Sequence, residues 1–196
     1  MGSNFSKTLR EEEIEEIESE TGFTAKQITR LYNRYSNLDK ANKGYLGRED
    51  FQHIPEIAIN PLGERIIDAF FDQDDGDGVD QQARVNFRQF IRVLAQFRPV
   101  SSTRAGDLQL NAKAKKLKFV FDVYDLDKDE KISREDLTKV LQMMVGSNVT
   151  SDQLNSIADC TMAEIDEDKD GFISYDKFCK AMDGIKIDEK MSIRFL

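Results

Sequence analysis

Asp125, Asp127 and Asp129 stand at alternate positions between two segments whose apolar residues recur at helical spacing. Leu117, Val120, Phe121 and Tyr124 share one face before the aspartates, and Leu137, Val140, Leu141 and Met144 repeat that spacing after them. The same unit of amphipathic helix, acidic turn and second helix recurs along the chain. One copy enters through Leu154, Ile157, Ala158, Thr161 and Ile165, turns at Asp166 to Asp170, and leaves through Phe178, Ala181 and Met182. A second runs from Ile66, Ile67, Phe70 and Phe71 to Phe87, Phe90, Ile91 and Leu94, and a third from Ile28, Leu31, Tyr32 and Tyr35 to Phe51 and Ile54. A helix pair of this kind cannot bury its apolar faces alone, so neighbouring units must share a core. The expected fold is all-α: four units paired into two lobes, with a short β-pair between the loops of each pair.

Local signals place the boundaries. Thr24 with Gln27 and Thr150 with Gln153 have capping-box spacing, while Asn60 followed by Pro61 reads as a cap with proline at the first helical position. Residues 98–111, opened by Pro99 and rich in Ser, Gly and mixed polar residues, cannot hold a core and are read as the linker between lobes. The divisions are then 1–22 as an N-terminal segment, 23–97 as the N-lobe, 112–184 as the C-lobe and 185–196 as an apolar tail. Within the first segment Glu11 to Glu20 reads as an exposed helix with only Ile14 and Ile17 strongly apolar.

The spacing of the acidic turns is a chemical test. Calcium wants six to eight oxygens, and the EF-hand supplies them from positions 1, 3, 5, 7, 9 and 12 of a 12-residue loop. In the third unit Asp125, Asp127 and Asp129 fill the first three places, Lys131 offers its backbone carbonyl, Ser133 acts directly or through water, and Asp136 closes the loop. Glu130 replaces the turn glycine and Asp136 is shorter than the usual Glu, which lowers affinity or lets magnesium compete. The fourth loop offers Asp166, Asp168, Asp170, the Phe172 carbonyl and Ser174, but closes on Lys177, which cannot coordinate a cation. Two readings follow for it: a weak site with Asp176 as substitute, or a fold element alone. The first loop puts Ala41 and Lys43 at ligand places and is read as vacant. In the second, Val85 aligns with the central apolar position while Asp72, Asp74, Asp75, Asp77 and Asp80 crowd an insertion, so no regular register fits.

Charge narrows the partners. Lys and Arg total 28 against 37 Asp and Glu, and the resulting net charge of −9 argues against a nucleic-acid footprint and favours a basic partner. Cys160 and Cys179 lack metal or redox spacing and read as reduced thiols of the cytosol. His53 is the only histidine, and no Ser or Cys has a base at recognisable spacing, so no catalytic site is expected. Gly2, with Ser6 at the required hydroxyl place, matches a myristoylation pattern; one acyl chain binds membrane only marginally and needs a second contact. Paired EF-hands bind partners by laying an amphipathic helix into an apolar groove, for which Phe119, Phe121, Val140, Met143 and Met144 are candidate lining.

Several runs also carry a family likeness: Glu56-Ile57-Ala58-Ile59-Asn60-Pro61-Leu62-Gly63, Val123-Tyr124-Asp125-Leu126-Asp127-Lys128-Asp129, Met143-Met144-Val145-Gly146 and Lys190-Met191-Ser192-Ile193-Arg194-Phe195-Leu196. Together they resemble calcineurin B and its homologous proteins over nearly the whole chain. Glu20-Thr21-Gly22-Phe23, the two vacant N-terminal loops and the polar insertion from Pro99 to Asn111 look closest to the calcineurin B homologous proteins, whereas calcineurin B itself is expected to have four usable loops. The resemblance implies a myristoylated, calcium-binding subunit that holds a juxtamembrane cytoplasmic helix of a plasma-membrane sodium/proton exchanger and supports its stability, trafficking and pH response. It further implies inhibition of calcineurin, residence in the cytoplasm and on the cytoplasmic face of plasma membrane or endomembranes, and passage through the nucleus. The alternative it carries is the regulatory B subunit of a calcineurin-type phosphatase, in complex with the catalytic subunit.

Overall fold

The computed structural model describes residues 9–71, 84–98, 110 and 112–186. Among these, helices α1 (Glu11–Thr21), α2 (Ala25–Leu38), α3 (Arg48–Gln52), α4 (Pro55–Ala58), α5 (Gly63–Phe71) and α6 (Phe87–Gln96) build the N-lobe. The C-lobe follows with α7 (Lys113–Tyr124), β1 (Lys131–Ser133), α8 (Arg134–Val145), α9 (Ser151–Ile165), β2 (Phe172–Ser174) and α10 (Tyr175–Ala181). Each lobe has its own core. Phe23, Ile28, Leu46, Phe51, Ile67, Val85, Phe90 and Ile91 are buried in the first, and Leu117, Phe121, Ile132, Leu137, Ala158, Ile173 and Phe178 in the second.

Capping fixes where several helices begin. Thr24 and Gln27, and Thr150 and Gln153, form the reciprocal boxes their spacing predicts, and Asn86 with Gln89 adds a third at α6. The Asn60–Pro61 signal works differently. Asn60 Oδ1 accepts the Leu62 N–H at 2.9 Å in a turn, and α5 starts only at Gly63. There a Cβ would lie 2.3 Å from the Ile57 carbonyl oxygen, so glycine is what lets α5 press against the end of α4.

Loops pair at their central apolar residues. Ile132 faces Ile173 in the antiparallel β1–β2 pair, and in the N-lobe Leu46 and Val85 exchange both backbone hydrogen bonds at 2.9 Å. Tyr35 Oη seals the N-lobe pair by donating toward the carbonyls of Gly44 at 3.0 Å and Val85 at 3.1 Å. Burial pushes the Tyr35 hydroxyl pKa above its ordinary value, assisted by the negative charge of Asp39.

The acidic helix α1 departs from the expectation of an exposed N-terminal segment. Ile17 is buried in the N-lobe core and Ile14 packs against it. Its polar side is held as well: Glu20 pairs with Arg88 at 2.9 Å and with Arg92, and Glu16 pairs with Arg88 at 3.3 Å. The sequence shows α1 with few apolar positions, but the arginines that complement its glutamates lie more than sixty residues away on α6.

The lobes touch directly. Arg65 of α5 donates from Nη2 to the carbonyls of Asp122 at 2.9 Å and Asp125 at 2.7 Å, and from Nε to Val123 at 3.3 Å. Phe97 and Phe119 meet edge to face at 4.9 Å.

Candidate metal centre and partner surface

Loops one, three and four share one backbone design. At the fourth loop position Asn42, Lys128 and Lys169 all have positive φ, at 58°, 59° and 58°, and at the sixth Gly44, Glu130 and Gly171 do so at 82°, 67° and 88°. This turn aims the first carboxylate inward onto backbone N–H groups. Asp125 accepts from Asp129 at 3.2 Å and Glu130 at 3.0 Å; Asp166 accepts from Gly171 at 2.8 Å; Asp39 accepts from Lys43 at 2.8 Å and Gly44 at 2.7 Å. Glu130 thus stands in the strained place that glycine usually fills.

In the third loop the carboxylate oxygens of Asp125, Asp127 and Asp129 lie within 4.8 Å of one another, with Asp125 buried and the other two exposed. These are hard, anionic oxygens of the kind calcium takes, and they fit the ion as the first part of its shell. Burial raises the Asp125 pKa, and the N–H groups of Glu130, Asp129 and Lys128 oppose the rise. Lys131 lies in β1 with its N–H bonded to Asp129 Oδ1 at 2.9 Å. Ser133 and Asp136 are engaged with each other: Ser133 Oγ donates to Asp136 Oδ2 at 2.6 Å and accepts the Asp136 N–H at 3.1 Å, capping α8. The short Asp136 side chain thus serves the helix end and stands outside the convergent set.

The fourth loop brings Asp166, Asp168 and Asp170 equally close, but their oxygens surround a positive charge the chain itself supplies. Lys177 Nζ donates to Asp166 Oδ1 at 2.7 Å, Asp170 Oδ1 at 2.8 Å, the Phe172 carbonyl at 3.0 Å and Asp168 Oδ1. Lys177 holds the carboxyls of Asp166 and Asp170 below their usual range. Burial works to lower the Lys177 pKa, yet the three carboxylates outweigh it and raise it. Ser174, like Ser133, caps the exiting helix, accepting the Lys177 N–H at 3.4 Å. With the ammonium in that place the loop does not fit a calcium ion, and Asp176 does not join the convergent carboxylates.

The first loop uses a related device. Lys43 Nζ, from the fifth position, reaches Asp50 Oδ2 at 2.7 Å and Glu49 Oε1 at 3.3 Å, tying the loop to α3. The insertion carrying Asp72, Asp74, Asp75, Asp77 and Asp80 lies outside the described residues, as do Gly2 and residues 187–196.

The five residues expected to line a partner groove do not gather on one surface. Phe121 is in the C-lobe core against Tyr175 and Phe178, at ring separations of 5.4 and 5.6 Å, and Val140 is fully buried. Phe119 is half-buried at the lobe contact. Met143 and Met144 are exposed on α8, and Ile157 is exposed on α9. Phe119 and Phe121, two residues apart, point to opposite sides of α7, and Met143 and Met144, although three and four residues on from buried Val140, lie in the exposed last turn of α8. The Arg65 contact had no sequence signal, because nothing local marks an arginine that caps a helix in another lobe.

Comparison with known proteins agrees with the geometry. The family model for an EF-hand domain pair matches residues 114–183, which span the third and fourth loops. The chain is 43% identical over 194 residues to the calcineurin B subunit of Naegleria gruberi, covering 99% of each protein. It is 38% identical over 190 residues to the type 2 calcineurin B subunit of Dictyostelium discoideum, covering 96% of this chain and 94% of that one. The helix pairs, the loop pairing, the calcium-compatible third loop and these full-length likenesses place the chain in the calcineurin B family of EF-hand proteins, as a calcium-binding regulatory subunit of that type.

Proposed function

We propose that this chain is the regulatory B subunit of a calcineurin-type protein phosphatase, holding a basic amphipathic helix of the catalytic subunit. The observation that carries the reading is its likeness, from end to end, to two calcineurin B subunits. The net charge of −9 complements a basic helix, and Met143, Met144 and Ile157 offer adaptable apolar contacts on the C-lobe surface. Calcium at the third loop tunes the C-lobe, with magnesium as competitor. Myristoylation at Gly2 would supply one of the two contacts needed for stable residence on a membrane, with the partner as the other.

A second reading is favoured by the lysines lodged in the first and fourth loops, which suit a partner held whether or not calcium is present. Under it the bound helix is the juxtamembrane segment of a sodium/proton exchanger, and the chain supports that transporter's stability and pH response.

Affinity capture of the tagged full-length chain from solubilised cells, in calcium or in chelator, separates the two. A co-purifying phosphatase catalytic chain whose activity rises on reconstitution with this protein supports the first reading. Capture of an exchanger in both conditions, with no gain in phosphatase activity, replaces it with the second.

A further inference from the structure

We propose that Lys177 is a tethered cation that takes calcium's place in the fourth loop, so that the C-lobe binds a single divalent ion, at the third loop. The inference deepens the calcium-binding reading and rests on it only for the third loop.

The four oxygens that receive the Lys177 ammonium, from Asp166, Asp168, Asp170 and the Phe172 carbonyl, are those of loop positions 1, 3, 5 and 7. They are the same atoms that would face an ion. Length explains how position 12 can put its charge there. A glutamate at that place reaches inward with two methylenes and meets an ion from one side. A lysine reaches inward with four and sets its own nitrogen where the ion would be. The side chain is only 11% exposed, so this is an enclosed position rather than a surface pairing.

The consequence is mechanical as well as electrostatic. In a metal-filled loop the ion ties the entering turn to the exiting helix. Here Lys177 belongs to α10 and its donors hold residues of the turn, so a covalent stem makes the same connection. The backbone agrees: Lys169 and Gly171 repeat the positive φ values of Lys128 and Glu130, and Ile173 pairs with Ile132 in register. The ammonium is therefore seated in a loop that has the turn and strand pairing of its metal-compatible neighbour. Calcium could enter only by expelling an ammonium that stays attached nearby and repels it. Lys43, bonded to the closing Asp50 of the first loop, is an independent instance of the chain answering loop carboxylates with its own lysine.

The test is calcium titration calorimetry on the full-length chain, with proton NMR as a second readout. The wild-type chain is expected to bind one equivalent, lost in Asp129→Ala and retained in Asp168→Ala. Lys177→Glu is expected to bind two equivalents, the second lost when Asp168→Ala is added. In wild-type chelated protein the Gly171 amide, bonded to Asp166 Oδ2 at 2.8 Å, should already resonate downfield and hold its position as calcium is added. A wild-type equivalent that is lost in Asp168→Ala, or a Gly171 amide that moves with calcium occupancy of its own loop, would overturn the proposal. So would a folded Lys177→Glu that gains no equivalent. A wild-type chain binding none, with one equivalent appearing in Lys177→Glu, would instead sink the third loop as a calcium site and leave the role of Lys177 standing.

Discussion

Glu130 occupies the turn position of the third loop with φ at 67°, a conformation in which a side chain crowds the following carbonyl. Replacing it with glycine removes that strain but adds freedom to the unfolded chain, so the net gain is about 0.5–1 kcal/mol. Glu130→Gly should raise the urea midpoint and tighten calcium binding; an unchanged midpoint would mean the neighbouring bond to Asp125 already absorbs the strain. In the first loop, burial tends to raise the Asp50 pKa, but the Lys43 ammonium and the Gly47 N–H outweigh it and hold it below the ordinary carboxylate value. Asp50 chiefly holds the Lys43 pKa above its usual value. The stability Asp50 gains is full above roughly pH 4, the unfolded carboxylate value, and is lost as pH falls through its lower folded value. The part that belongs to Lys43 is full below roughly pH 10 and is lost at higher pH. Melting temperatures of the wild type and Asp50→Asn should therefore differ by a constant amount from about pH 5 to 9 and converge in acid.

Among the elements, α1 is the test of what holds an acidic helix to an acidic protein. Its glutamates meet Arg88 and Arg92, but exposed ion pairs contribute little, and the apolar contact through buried Ile17 is the larger anchor. Ile17→Ala should cost about 2–4 kcal/mol in chemical denaturation and speed amide exchange in α1. Charge reversal of Arg88 should cost much less, and the opposite ranking would make α1 an electrostatically held element. The capped helices α2 and α9 need no such distant support at their starts, because Thr24 and Thr150 bond to residues only three positions on.

Across the protein as a unit, the polar contact between the lobes is a side chain that reads the end of a helix, beside the ring contact of Phe97 with Phe119. Arg65 places its guanidinium on the carbonyls of Asp122, Val123 and Asp125, where the C-terminal end of α7 is negative and where the third loop begins. Asp68 steadies it at 3.3 Å and is itself bonded to Arg48 at 2.5 Å, so a continuous polar chain runs from α3 to the metal loop. Arg65→Ala should lower stability by about 2–3 kcal/mol and broaden or split the calorimetric melting transition as the lobes separate. It should also alter calcium affinity at the third loop although Arg65 supplies no ligand. A single sharp transition with unchanged affinity would place the coupling elsewhere, at Phe97 and Phe119.

What depends on neighbours along the chain was legible in the residues alone. Thr24, Gln27, Thr150 and Gln153 specified helix starts, the helical recurrence of Leu117, Phe121 and Leu137 specified faces, and the alternate aspartates specified loops expected to join through a short β-pair, which Ile132 and Ile173 form. In the irregular second loop, where no regular register fits, Val85 alone was marked as the central apolar residue, because a loop pair needs one at that place, and it pairs with Leu46. What depends on distance across the fold emerged only once the helices were packed. Packing docked α1, set Arg65 on another lobe's carbonyls, buried Phe121 and Val140 while leaving Met143 and Met144 outside, and turned Lys177 from an ill-suited ligand into the charge at the centre of its loop. Periodicity and capping act within a turn or two of helix and are written locally, whereas the reach of a long cationic side chain finds its acceptors only after the packed helices have fixed where those acceptors stand.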